Sequence, residues 1–177
     1  MASLSAYTNP CSANSGGAVE LYFAIAADVT SFTLGTGAQT YDTCTLATGK
    51  VWAKYDFEEE TASFKPTLEA VKGASKWTHI VEADLGKISD TSRTSIMALA
   101  DNSPCGLICL FKDSNDQVWV IGYDEKDGKN RPLRVESMNG DTKTDLLEPS
   151  ETVLTLSTAP GGNREMARIY TGAITVV

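Results

Sequence analysis

His79 is the only histidine in the chain, and that bounds the chemistry its side chains can perform. Zinc sites built on paired histidines are excluded, as is any mechanism that passes a proton between two imidazoles. A Ser/His/Asp arrangement would have to join His79 to Asp84 or Asp56 and to a serine that no Gly-x-Ser-x-Gly elbow marks. His79 is therefore expected to be a strand histidine, satisfied by hydrogen bonds or partly exposed. Cys105 and Cys109 stand four apart, which on a strand would put both thiols on one face. Metal ligation there needs two further ligands, and Cys11 and Cys44 sit in no paired-ligand motif. In a reducing cytosol all four cysteines are expected to be inert thiols.

The oxygen-rich stretches Glu58 to Glu60 and Asp113 to Asp116 lack the alternating ligands and distal Glu of a calcium loop. Solvated charge is the expected reading of both. Gly35-Thr36-Gly37 lacks the further glycine and lysine of a phosphate loop and is read as a turn. No catalytic, cofactor-binding or metal-ligating residue is assigned on these grounds, and no enzymatic activity is expected. Trp52, Trp77 and Trp119 offer a different use as stacking platforms in a carbohydrate-binding β-sandwich.

The elements that would position these residues come from a chain of 177 residues, 42% hydrophobic and 21% charged, enough for one core and short for two. The expected organisation is an N-terminal arm over 1–17, rich in Ser, Ala, Asn and Gly, followed by one domain over 18–177. The net charge of -8 argues against a surface that grips phosphates, because such binding needs clustered Lys and Arg. An acidic wall would instead repel a polyanion and let it slide. Met1 to Pro10 carries no basic and apolar leader pattern, and no run of 18 apolar residues occurs, so neither a secretory signal nor a membrane span is expected.

Alternation of apolar residues predicts strands at Val19 to Ile25, Val29 to Leu34, Val51 to Phe57, Trp77 to Leu85, Leu133 to Met138, Glu151 to Thr158 and Met166 to Val176. In the first, Val19, Leu21, Phe23 and Ile25 share the buried face; in the third, Trp52 falls on the side of Lys54 and Asp56. A short strand from Thr61 is expected to end at Pro66, with a helical turn at Leu68 to Lys72 and a turn at Asn139-Gly140. Ser89 to Ser92 supplies helix caps before Ile96, Leu99 and Ala100, so one helix is expected to run to Asp101. Leu107 to Phe111 and Gln117 to Tyr123 form a hairpin around Asp113 to Asp116. Val118 to Ile121 is apolar on both faces, which calls for cover from the helix or from a neighbouring subunit. The fold class is mainly β, an antiparallel β-sandwich or barrel with one flanking α-helix.

Three stretches carry a family resemblance: Tyr55-Asp56-Phe57-Glu58-Glu59-Glu60-Thr61-Ala62-Ser63-Phe64, the helix and hairpin ending in Trp119-Val120-Ile121-Gly122-Tyr123-Asp124, and Glu151-Thr152-Val153-Leu154-Thr155-Leu156. Over roughly residues 50 to 160 this order and texture of elements resembles the tail tube proteins of bacteriophages. The resemblance implies a structural virion protein, assembled in the host cytoplasm and located in the tail. Copies would form rings, hexameric in the family, whose inner sheets join into a tube through which DNA passes without specific binding, in contact with other tail proteins. Ring stacking, which in the family uses a long loop or a terminal arm, would fall to Met1 to Gly17 or to Gly35 to Gly49. A head-tail connector, stopper or terminator ring is the related alternative.

Overall fold

Two runs of alternating side chains found the architecture: Leu21 to Ile25 and Leu107 to Phe111 are apolar at every position, so each strand can bury both faces. The computed structural model describes residues 16–37, 39–55, 57, 61–86, 89–125, 129–141, 151–158 and 161–176. In chain order the elements are β1 (Ala18–Ile25), β2 (Val29–Leu34), β3 (Thr40–Leu46), β4 (Ala53–Tyr55), β5 (Ser63–Val71), β6 (Ala74–Asp84), α1 (Asp90–Asn102), β7 (Leu107–Asp113), β8 (Val118–Ile121), β9 (Tyr123–Asp124), β10 (Lys129–Asn130), β11 (Arg134–Asp141), β12 (Glu151–Ser157) and β13 (Arg168–Tyr170). The protein is mainly β, a sandwich with one helix. A seven-stranded sheet, in order β2-β3-β13-β8-β7-β1-β4, faces a four-stranded sheet, in order β11-β12-β6-β5, with β9 and β10 as a separate short pair. Every neighbouring pair is antiparallel except β3 with β13.

Leu21, Phe23, Cys109, Phe111 and Ile121 from one face of the large sheet meet Val81, Ala83, Leu154 and Leu156 from the small one, with Leu99 of α1 at the margin. The other face of β1, β7 and β8 presents Tyr22, Ile108, Leu110 and Val120 to Phe32, Tyr41, Trp52 and Tyr170. That second core forms because the large sheet curls: Trp52, just before β4, bridges Val176, and its N–H donates to the Thr175 carbonyl at 3.1 Å. The doubly apolar strands thus find their cover inside the chain. Neither α1 nor a neighbouring subunit is needed over Val118 to Ile121.

Several sequence expectations change for identifiable reasons. Val19 does not join Leu21 and Phe23 in the core, because the β1–β7 register shifts between Ala18 and Glu20 and leaves it as the extra residue of a bulge, half-exposed. Trp52 is 2% exposed rather than facing solvent, since curling turns its face inward. Of the strand expected over Val51 to Phe57 only β4 forms. Pro66 does not end β5, and Leu68 to Lys72 is not helical: β5 is an edge strand, where a residue without an N–H is tolerated. Asn139-Gly140 is no turn but lies within β11, opposite Val153 and Thr152. Residues Gly35 to Gly49 are not one long loop, because β3 occupies Thr40–Leu46. The expected strand over Met166 to Val176 shortens to β13. Of the N-terminal arm, 1–15 lie outside the described residues; Gly16 is held by Ser114, whose Oγ donates to its carbonyl at 2.9 Å.

Gly122 separates β8 from β9 at φ 98°, and a Cβ there would stand 2.8 Å from the Leu107 carbonyl oxygen. Both strain and a backbone clash oppose a side chain. Gly122→Ala is expected to lower unfolding free energy by about 2–4 kcal/mol in urea titration, with an unchanged slope.

Candidate assembly surface

The longest paired feature is the β5–β6 hairpin. Nine residue pairs, from Ser63 opposite Glu82 to Val71 opposite Ala74, leave Lys72-Gly73 as a two-residue turn. Both turn residues have positive φ, 48° and 85°, the geometry that matches strand twist in tight hairpins. β12 pairs with β6 only between Ile80 and Asp84, so the hairpin's outer half projects past the sheet. At the opposite end, Gly140 with Thr152 and Asp141 with Glu151 extend β11–β12 past Asp84. The four-stranded sheet is staggered like a slanted ladder.

Its edges are β5 and β11, and neither has a further strand beside it among the described residues, although the outward Val135 N–H of β11 donates to Ser103 Oγ at 2.8 Å. The direction of their backbone groups follows from the clamp on β6. Trp77 exchanges N–H···O bonds with Asn163, both 2.7 Å, while the His79 N–H donates to Thr158 Oγ1 at 3.0 Å and its carbonyl accepts from the Thr158 N–H at 3.1 Å. Trp77 and His79 therefore turn their backbone groups away from β5. In an antiparallel ladder the residues opposite them turn away as well, so Leu68, opposite Trp77, and Pro66, opposite His79, face the free edge. Continuing the alternation places Ala70 there too. Proline occupies an edge position where its missing N–H breaks no ladder bond. On β11 the register shift between Val135 and Ser137 makes Glu136 a bulge, so this edge too is blunted in its first half and regular from Ser137 to Asp141.

The sheet's outward face is polar. Lys65 pairs with Glu82, and Lys76 with Glu69 at 3.1 Å; Thr155 and Ser137 continue this face across the sheet. These exposed pairs contribute little stability, each within about 1 kcal/mol. The inward face carries Leu68, 48% exposed, beyond the limit of the core.

The residues singled out for chemistry are dispersed. His79 lies at the hairpin's root, 1% exposed, with no hydrogen-bond partner on either ring nitrogen. It is neither satisfied nor exposed, contrary to expectation. Burial pushes its pKa down to about 4, and the nearby Glu165 carboxylate opposes that only weakly. Asp84 lies on the opposite face of β6, its Oδ1 accepting from Gly86 and Thr152 N–H groups; Asp56 lies outside the described residues. Cys105 sits in a 3-10 turn and is exposed, because Pro104 and Gly106 at φ 82° keep it off β7, so it does not share a face with Cys109. Cys44, Cys105 and Cys109 are free, and burial raises the Cys44 thiol to about 11. Cys11 and Glu58 to Glu60 lie outside the described residues. Asp113 is structural: Oδ1 accepts from the Asn115 and Gln117 N–H groups and Oδ2 from Trp119 Nε1 at 3.0 Å. Gly35 to Gly37 is a turn, joining β2 to β3. Trp52, being buried, cannot be a stacking platform.

Sequence reasoning missed a buried polar group linking β9 to β13. Arg168 clasps Glu165 through Nε at 3.0 Å and Nη2 at 2.8 Å, and lies 5.4 Å from the Tyr41 ring centroid. Glu165 also accepts from the Glu125 N–H, and Asp124 from the Arg164 N–H. Spacing of three between Glu165 and Arg168 was visible, but nothing marked the segment as buried. These acceptors hold loops together. Among the described residues no three His, Cys, Asp or Glu side chains gather as a metal site, and no helix is long and apolar enough to cross a membrane. No protein-family model, curated protein or solved structure matches the chain.

Proposed function

We propose that this chain is a structural subunit of a bacteriophage tail or tail-like particle, whose copies join edge to edge into rings that stack as a tube for DNA. The observation that carries the reading is the four-stranded sheet whose edges, β5 and the Ser137 to Asp141 stretch of β11, have no neighbouring strand among the described residues. An antiparallel sheet with an even number of strands has edge strands that run in opposite directions, as β5 and β11 do. Copies related by rotation about one axis then bring β5 of one beside β11 of the next as an antiparallel seam. Such a contact joins two different patches, so it closes as a ring when the rotation divides a full turn. The stagger of the sheet suits it, because strands around a barrel must tilt and shift in register.

With the sandwich core on the outside, the polar face bearing Lys65, Glu82 and Thr155 would line the channel. A wall in a protein of net charge -8 lets a phosphate backbone pass without gripping it. Light scattering after size exclusion, followed by electron microscopy, is expected to show rings or tubes at high protein concentration. A protein that stays monomeric there, and in recovered particles, overturns the proposal. Copy number in particles separates a tube, present in many rings, from a connector present in one.

A further inference from the structure

We infer that the root of the β5–β6 hairpin is an acid-sensitive latch, in which protonation of His79 releases the hairpin's outer half from Thr158 and Asn163. Outward of Ile80, β6 has lost its β12 neighbour, and among the described residues its remaining backbone links on that side are the two bonds of Trp77 to Asn163 and the two of His79 to Thr158. Opening there breaks four hydrogen bonds and leaves the inner half of the sheet paired.

The latch closes over polar groups that gain nothing from closure. Both ring nitrogens of His79 and both amide atoms of Asn163 are buried without a partner, although such groups normally find one. From β5 the ring meets Phe64 edge-on, centroids 5.7 Å apart, and Pro66 stands opposite it in register. On its other side stand Thr158 and Asn163, both uncharged. The charged group that acts on the ring is Glu165, already committed to Arg168. Lys76, Glu82 and Asp84 lie at odd spacings from His79 along β6 and point to the opposite face. An imidazolium formed here would be buried with no dedicated counter-ion, whereas in the open hairpin it would be hydrated.

The direction follows by linkage. The ring titrates near 6.5 when open and about 4 when closed, so the open form takes up the proton first and closure weakens as pH falls between those values. The pull is complete below about 4 and absent above about 6.5. Each pH unit in the window raises the opening constant about tenfold, for a total of about 300-fold. The seam proposed above is not required, so single subunits suffice for the test.

Hydrogen exchange of the full chain, corrected for intrinsic rates between pH 7 and 3.5, reads the amides of Trp77, His79, Thr158 and Asn163. Their opening constants are expected to climb by that factor while those of β7 stay level. His79→Phe, which keeps a ring without a titrating group, is expected to hold all four amides closed throughout. If that variant does not fold, the NMR titration of His79 in the unaltered protein serves instead: its midpoint must coincide with the loss of protection. The proposal is overturned if His79 titrates with no change at these amides, if they open only together with β7, or if His79→Phe opens at the same pH.

Discussion

Arg168→Ala is expected to cost about 3–5 kcal/mol of unfolding free energy, read as a lower denaturant midpoint at unchanged slope. The Arg168 and Glu165 side chains are only 10% and 7% exposed, so removing the guanidinium leaves a carboxylate with no route to water. The loss includes the two charge-assisted bonds and the cation stacked on Tyr41. Glu165 also holds the Glu125 N–H, so its altered placement should loosen the β9 turn. The pair's Coulombic attraction is not itself the source of that figure, because desolvation offsets much of it. Replacing both partners by apolar residues, as in Glu165→Leu with Arg168→Met, is therefore expected to recover more than half of the loss. A double variant no more stable than Arg168→Ala would mean that the hydrogen bonds, rather than the stranded charge, dominate.

The contrast between that cluster and the strands shows what a linear reading can reach. Strands whose partner lies close in sequence were legible: the β7–β8 hairpin carries its own turn, and α1 shows Ile96 and Leu99 at helical spacing, both buried. Elements defined by distant partners were not. β3 is a run of Thr, Asp, Tyr and Cys with weak apolar alternation, and it becomes a strand because β2 and β13 bond both its edges. Pro66 looked like a stop because proline removes a ladder donor; only the clamp of Asn163 and Thr158 on β6 decides that its nitrogen faces outward. The Glu165–Arg168 clasp depends likewise on the fold burying a segment whose composition is that of a surface loop. Cover for Val118 to Ile121 is expected from α1 or a second subunit, since nothing local announces that a sheet will curl back on itself through Trp52 and Val176.

That internal cover shifts the weight of the assembly proposal from apolar faces to backbone edges, and edges make a sharper prediction. Leu68→Pro removes an N–H that points to the free edge, so it should break no bond within the subunit. Thr67 before it and Leu68 itself already lie in a strand, the conformation that proline and its predecessor favour. The monomer is accordingly expected to lose about 1 kcal/mol or less, the loss of a half-exposed leucine. A seam on that edge loses a main-chain donor and gains a ring clash, repeated at every contact around the ring. Closed rings amplify the defect because each subunit makes the same contact twice, once through β5 and once through β11. Light scattering of Leu68→Pro is expected to report monomer at concentrations where the parent forms rings. Rings of unchanged abundance from a normally stable Leu68→Pro protein would remove β5 from the seam, since no side-chain effect can restore the missing donor.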